Sequence, residues 1–500
     1  MKKRKILPYS WNDLNGYYSL LVTKARHEMY VGNYVKSIQC IESAGFLQSR
    51  LNNIYTDERL ENLLHNISSH RYERKLIEVN KKRYIFYEGF GWDNRGLTLQ
   101  YIDALNHLSG CEYIFIFEKR LYEYSRKIVN NLLSNNVRIV ELEGDVLAKA
   151  DTFYEIILSY CPSKVFLHLA SWSTIPFIVL DAFSQITKYQ INLTDHAFWI
   201  GSHFIDYSLE FRDYGCTVSL EKRGLLKKQI LLLPYYPFDD METFKGFPIS
   251  TEGKIVMFSG GSFYKIYGAD NFYLNLVVDL LWDNLNLVFI YAGDGDDSAF
   301  RSFMEQKGLI DRVALLGFRK DINEIFKHID IYLGTYPYSG GLMSQYAAMY
   351  GKPLLVYDET GSRVEDIVCT KRYEKFVFST KKALLDEAHK LINNITYRKE
   401  RGHFFKSLMA GQDDFRQGFR NLLEKNQGKR EYALKDIDYK SFANQYLEAI
   451  NEGNKGFSVE LYIFKALGLS VFYQTPKIVF NLLPYCYKRA TTFIKSRFVR

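Results

Sequence analysis

Hydrophobic residues between positions 254 and 366 fall into two alternating patterns. Short apolar runs are each followed by a stretch in which apolar residues recur at helical spacing. Strands that alternate with helices predict a parallel α/β sheet. The runs that predict strands are 255–258, 287–291, 313–316 and 329–333, and the first helix is expected to run from just after Lys265 to near Leu281.

Small and polar residues follow every one of these predicted strands. Because ligands of parallel sheets bind outside the carboxyl ends of the strands, this arrangement predicts a nucleotide-binding half. The residues concerned are Gly260, Gly261 and Lys265 after the first strand, Gly293 and Asp294 after the second, Arg319 after the third, and Ser339, Gly340 and Gly341 after the fourth.

The earlier part of the chain carries a second alternating unit, with apolar runs at 84–87, 113–117, 137–142 and 165–169. A proline-bearing connector at 233–240 separates the two units. Residues 10–80 predict helices joined at Gly32, which resemble either a single tetratricopeptide-like hairpin or a helical cap. We therefore expect four regions: 1–80 helical, 81–245 and 246–400 Rossmann-like, and 401–500 a helical extension.

Composition narrows the class of protein. A chain of 500 residues with 47% hydrophobic content predicts two or three folded domains. The six cysteines form no CxxC pair, which favours reduced thiols and a cytoplasmic protein. The basic N-terminus lacks a following apolar segment, and no uncharged apolar stretch is long enough to span a bilayer, so we expect neither secretion nor a spanning helix.

Charge is concentrated at one end of the chain. Residues 461–500 hold seven of the basic side chains and no acidic one, against a net charge of +8 for the whole. A near-neutral remainder argues against a nucleic-acid partner. Aromatic residues alternate with the cations in this tail, which fits either contact with an anionic membrane or a helix packed on the core with a solvated basic face.

The loop Ser339–Gly340–Gly341 precedes a predicted helix. Backbone N–H groups and the positive end of the helix dipole suit a pyrophosphate, although an ordinary strand-to-helix turn has the same composition. Lys265 would add a point charge and Arg319 a forked one. A GxGxxG sequence is absent after both leading strands, which argues against a dehydrogenase.

The ordered set of motifs between about 255 and 365 resembles that of GT-B glycosyltransferases, including the glycosyl transferases group 1 branch. The run from Phe258 to Lys265, followed later by Gly340–Met343, is more specifically similar to the O-linked N-acetylglucosamine transferase-like branch. The resemblance implies two Rossmann-like domains, a UDP-sugar as co-substrate and no metal cofactor. It further implies that Lys265 meets the phosphates and that Gly340, Gly341, Leu342 and Met343 hold the pyrophosphate.

One position departs from that family pattern. The family places an acid on the helix after the loop, where it binds the ribose, and this chain has Tyr346 there. Ser344 and Gln345 are the neighbouring side chains that offer hydrogen bonds instead. The acidic run at 294–297 contains the spacing of a GT-A metal motif, but a solvated turn is favoured because the run lies in the second half.

The acceptor half offers Asp195–His196 as a catalytic pair. A histidine oriented by a carboxylate suits the abstraction of a hydroxyl proton, although a histidine satisfied by backbone beside buried aromatics fits the same sequence. His168 is expected to be structural. Gly91 and Arg95 either line the acceptor cleft or pack a helix.

These observations predict a cytoplasmic glycosyltransferase, with its tail on the inner face of the membrane. It would move a hexose or N-acetylhexosamine from a UDP-sugar to a hydroxyl of a surface polysaccharide or lipid-linked glycan. Two alternatives remain open: a protein O-glycosyltransferase, and a non-catalytic partner that keeps the fold.

Overall fold

The computed structural model describes residues 7–90, 97–118, 126–238, 242–359, 376–451 and 458–482. Its described strands form two separate parallel sheets, each flanked by helices. The predicted α/β class with two Rossmann-like units is confirmed.

The first sheet has seven strands in the order β3-β2-β1-β4-β5-β6-β7. The strand order reverses between β1 and β4, and such a switch point is where open α/β sheets bind ligands. The last rungs of that pair place Glu88 directly opposite His168. The strands are β1 (Asn80–Gly89), β2 (Glu112–Glu118), β3 (Arg138–Leu142), β4 (Pro162–Leu169), β5 (Thr187–Ile191), β6 (Tyr207–Glu210) and β7 (Ile230–Leu232).

Three helices precede this sheet and five accompany it. The predicted hairpin is present: Ser10 caps the first helix, and Asn33 caps the second just after the turn at Gly32. Both helices pack into the same core as β1 and β4. The helices are α1 (Trp11–Tyr30), α2 (Tyr34–Leu51), α3 (Glu58–Arg71), α4 (Leu97–Asn106), α5 (Arg126–Ser134), α6 (Val146–Tyr160), α7 (Ile175–Leu180) and α8 (Asp213–Glu221).

The second sheet has six strands in the order β10-β9-β8-β11-β12-β13, and its switch point lies between β8 and β11. The strands are β8 (Ile255–Gly260), β9 (Leu287–Ala292), β10 (Val313–Leu315), β11 (Ile331–Leu333), β12 (Leu354–Tyr357) and β13 (Val377–Phe378). The helices are α9 (Phe272–Asp283), α10 (Ser298–Gln306), α11 (Ile322–Lys327), α12 (Gly341–Met349), α13 (Lys381–Asn393) and α14 (Ile395–Lys406).

The helix expected directly after Lys265 begins later, at Phe272. Short 3₁₀ turns occupy residues 263–266 and 269–271. Ala269, Asp270 and Asn271 have positive φ angles, which interrupt a right-handed helix. The prediction of the helix start was therefore wrong by about two turns.

The chain after α14 returns to the first sheet through α15 (Gln412–Lys425), α16 (Tyr439–Asn451), α17 (Glu460–Leu467) and α18 (Val471–Gln474). Phe415 and Phe419 of α15 enter the aromatic core beside α4. Arg416 forms a two-pronged ion pair with Asp103, at 2.7 and 2.8 Å. Ile463 of α17 is fully buried in the core that contains α1 and α2.

The tail is packed on one face and exposed on the other. Four of its apolar side chains face solvent: Leu469, Phe472, Tyr473 and Phe480. Within the described residues, no helix combines the length and the hydropathy that a membrane crossing needs. Residues 483–500 lie outside the described part of the chain.

Candidate functional site

Glycines bring the ends of β8 and β9 into backbone contact. The Gly261 N–H donates to the Ala292 carbonyl at 2.9 Å. A Cβ built on Gly293 would lie 1.7 Å from the Gly261 carbonyl oxygen, so only glycine fits there. A Cβ on Gly260 would lie 2.7 Å from the Met343 Cε of α12. These close approaches hold the first turn of α12 against the end of β8.

Lys265 lies at the amino-terminal end of α12. Its Nζ donates to the Ser339 carbonyl at 3.4 Å, and the Tyr338 N–H donates back to the Lys265 carbonyl at 3.2 Å. Gly340 is the N-cap, and Gly341 begins the helix. The ammonium group, the glycine backbone and the helix dipole thus meet at one half-buried corner, an arrangement suited to an anion. We call Gly260, Gly261, Lys265 and residues 339–343 the phosphate corner.

Asp294 braces one side of the phosphate corner. Its side chain accepts a hydrogen bond from Ser262 Oγ, and its carbonyl accepts the Phe263 N–H at 2.8 Å. Asp296 instead accepts the Ser298 N–H two residues ahead, as in an Asx turn, just before α10. The described residues contain no group of three side chains arranged to hold a metal ion.

Arg319 is not part of the phosphate corner. Its guanidinium forms a two-pronged pair with the buried Asp321, at 2.5 and 2.7 Å, and donates to the Gly246 carbonyl at 3.0 Å. These contacts tie the start of α11 to the segment that leads into β8. The expectation that Arg319 supplies a forked contact to phosphate is therefore wrong, because its donors face the interior.

Ser344, Gln345 and Tyr346 are all buried. Gln345 Nε2 donates to the Tyr235 carbonyl at 3.3 Å, and the Tyr346 hydroxyl donates to the Phe238 carbonyl at 3.2 Å. These two side chains join α12 to the connector between the domains. The structure does not present them to a ligand, contrary to the expectation of a ribose contact.

The Asp195 carboxylate is held by Arg212, at 2.5 and 3.0 Å. Burial alone would raise the pKa of Asp195, but the Arg212 guanidinium and the His196 hydrogen bond hold that pKa well below its ordinary value. His196 Nδ1 lies 3.3 Å from Asp195 Oδ1, and its side chain is 40% exposed. Asp195 is thus a fixed anion that orients His196.

Helix α16 contacts both His196 and Tyr338, the residue that precedes the 339–343 segment of the phosphate corner. The His196 ring meets Phe442 edge-on, with centroids 6.1 Å apart. One turn later, Tyr446 lies 6.2 Å from Tyr338, whose hydroxyl donates to the Gln445 carbonyl. Phe442 and Tyr446 are neighbours on one face of α16, with ring centroids 4.8 Å apart, so His196 and Tyr338 contact the same face of this helix one turn apart.

Sequence reasoning missed a buried pair at the switch point of the first sheet. His168 Nδ1 lies 2.7 Å from Glu88 Oε2, and both side chains are almost fully buried. Thr98 Oγ1 and the Phe90 N–H also donate to the Glu88 carboxylate, at 2.9 and 3.0 Å. An acid directly after the apolar run 84–87 of β1 was the visible signal. Gly91 and Arg95, the predicted cleft residues, lie outside the described part of the chain.

Comparisons with known proteins rest on structure. No protein-family model and no curated protein matches the sequence. A mutant O-GlcNAc transferase of Thermobaculum terrenum is similar, with a TM-score of 0.51 and 13% identity over 88% of this chain and 83% of that one. The chain has the GT-B fold. HepE of Anabaena, solved with UDP and glucose, matches at a TM-score of 0.51 and 14% identity over 68% of this chain and 99% of its own.

A glycosyltransferase of Rickettsia africae gives a TM-score of 0.50 and 10% identity, over 74% of this chain and 99% of that one. The structural similarity establishes the GT-B fold. Because the sequence identities are low, the reaction has to be inferred from the residues of the site itself. In this GT-B chain, each switch point carries one of the two polar groups: Glu88–His168 between β1 and β4, and the phosphate corner between β8 and β11.

Proposed function

We propose that this GT-B protein is a glycosyltransferase that moves a hexose or N-acetylhexosamine from a UDP-sugar to a glycan hydroxyl. The carrying observation is the phosphate corner, where an ammonium group, glycine backbone and a helix N-terminus converge. The similarity to HepE, a protein solved with UDP and glucose, supports a nucleotide sugar.

In this proposal the phosphate corner stabilises the leaving diphosphate. Negative charge on the diphosphate grows as its bond to the sugar breaks. Lys265 and the N–H groups at the start of α12 face that charge without having to reorganise. Gly260, Gly261 and Gly293 let the ends of β8 and β9 pack closely against each other, Lys265 and α12, which fixes the backbone of the corner. Because these donors supply the compensating charge, we propose that no metal cofactor is needed.

His196 serves as an anchor for the acceptor glycan on the opposite lobe. Its exposed imidazole is held in place by Asp195, whose own charge is compensated by Arg212. A lipid-linked glycan is the proposed acceptor. The exposed rings of the tail would rest on the anionic inner surface of the cell membrane, together with the basic residues of positions 461–500.

Binding of UDP to the purified protein tests the proposal. Lys265→Ala removes a charge-assisted hydrogen bond, worth about 1.5–3 kcal/mol, so UDP affinity should fall roughly 10- to 100-fold. Lys254→Ala is the matched control, because Lys254 is exposed and lies at the other end of β8. Calorimetry that shows equal affinity for both variants would remove the phosphate role of Lys265.

A non-catalytic partner protein remains the second candidate. The buried Tyr346, bonded to the connector where the family has a ribose-binding acid, favours it. Assays of UDP-sugar turnover with lipid-linked glycan and with peptide acceptors, in EDTA, separate the candidates. Turnover with glycan alone supports the proposal, turnover with peptide supports protein O-glycosylation, and no turnover together with no UDP binding supports the partner protein.

A further inference from the structure

The Glu88–His168 pair occupies the position in the first sheet where ligands of α/β folds bind. Glu88 is the penultimate residue of β1 and His168 the penultimate residue of β4, and the two are direct neighbours across the switch point. Their side chains emerge on the same face of the sheet, beneath α4. A buried ionisable pair at this location needs a reason beyond packing, since burying charge costs free energy.

The hydrogen bonds around Glu88 determine which nitrogen of His168 is available. The carboxylate accepts from Thr98 Oγ1 and from the Phe90 N–H, and His168 Nδ1 lies 2.7 Å from its Oε2. A carboxylate that accepts from all sides makes Nδ1 the donor, so the neutral ring carries its lone pair on Nε2. Nε2 is buried and has no hydrogen-bond partner among the described residues.

His168 lines a small cavity with room for about one water molecule or hydroxyl group. Asn192 lines it too, and its Oδ1 likewise has no partner within the described chain, although its Nδ2 donates to Glu210 at 2.9 Å. Tyr101 and Tyr235 form other parts of the wall. Two residues that line this hydroxyl-sized space thus each carry a buried polar atom with no partner among the described residues, which suits a bound polar group.

The same cavity lies beside the donor lobe. Tyr235 accepts a hydrogen bond from Gln345 of α12. Leu342, in the first turn of α12, packs against the aromatic core that contains Tyr235. The phosphate corner and the cavity therefore share the first turns of one helix, as a leaving group and an incoming nucleophile require.

We propose that His168, positioned by Glu88, is the proton acceptor of the glycosyl transfer. The acceptor O–H loses its proton to His168 Nε2, and the oxygen lone pair forms the new bond to the anomeric carbon. The bond from that carbon to the diphosphate breaks, and its electron pair leaves on the diphosphate at the phosphate corner. A single displacement of this kind inverts the anomeric centre. This inference rests on the proposed glycosyltransferase function.

Variants of both partners test the assignment. His168→Gln should lower kcat by on the order of 10²–10⁴, as expected for the loss of a general base, while UDP binding measured by calorimetry stays unchanged. Glu88→Gln should lower kcat by less than His168→Gln does and leave KM for the UDP-sugar unchanged, because Glu88 only positions the His168 ring. His203→Gln is the control, because His203 is exposed in the same domain.

The outcomes separate the inference from the function on which it rests. Wild-type transfer rates in His168→Gln, a wild-type kcat in Glu88→Gln, or a product with retained anomeric configuration would each overturn the role of His168. Those results would leave the glycosyltransferase assignment intact. A wild-type protein that binds no UDP and transfers no sugar would instead refute the proposed function. If His168→Gln does not fold, the kcat of Glu88→Gln and the product configuration still decide.

Discussion

Glu61 makes the stability of the first domain depend on pH. This side chain lies on α3, is 2% exposed, and accepts the Gly201 N–H at 2.9 Å. Burial raises its pKa to about 7 from 4.5, although backbone N–H groups of residues 201–203 oppose the shift. The Glu61 carboxyl thus links α3 to the loop that follows His196. Because its pKa is raised, it binds a proton more readily in the folded state than in the unfolded state.

The direction of the effect follows from linkage. The folded state holds the proton more tightly than the unfolded state, so this contribution to stability is fully present below about pH 4.5. It is lost as the pH rises through about 7. The gap between the two pKa values, at 1.36 kcal/mol per pH unit, corresponds to about 3 kcal/mol.

Glu61→Gln keeps an oxygen that accepts the Gly201 N–H but cannot ionise. Between pH 4.5 and 8 the wild type should therefore lose about 3 kcal/mol of unfolding free energy that the variant does not lose. Urea unfolding followed by tryptophan fluorescence measures it. Glu58→Gln, an exposed change on the same helix, is the control. A Glu61→Gln difference that stays constant across this range would refute the reasoning.

Three further outcomes are expected. Gly293→Ala should abolish UDP binding, because its Cβ would collide with the Gly261 carbonyl, whereas Gly16→Ala, which meets no atom within 4 Å, should leave binding intact in the same titration. Arg319→Ala should cost about 3–5 kcal/mol in urea unfolding, because it leaves Asp321 buried and unpaired, yet Kd for UDP should hardly change. Replacement of the exposed tail residues Phe472, Tyr473 and Phe480 by serine should reduce co-sedimentation with anionic liposomes and leave Tm unchanged.

Local patterns in the sequence predicted most strands and the two-unit architecture, because most of the buried strands contain an uninterrupted apolar run. They also located the phosphate corner, since glycines and a lysine follow consecutive strand ends. The same logic failed for Arg319. Its position after β10 was identified correctly, but the direction of its side chain depends on Asp321 and on Gly246, a residue far away in sequence.

The Glu88–His168 pair could not be predicted from local sequence patterns for a similar reason. The two residues are separated by 80 positions, and only the crossover that places β4 beside β1 brings them together. The return of α15–α18 to the first sheet is equally non-local. Nothing in the amphipathic pattern of these helices states which surface their apolar faces cover.

That return sets the order in which the chain can fold as it leaves the ribosome. Residues 255–406 are contiguous and can finish their sheet as soon as they emerge. The core of the first domain must wait, because α16 and α17 are made about 200 residues after β7. During that interval the surface meant for them stays uncovered, which makes the nascent first domain a client for chaperones.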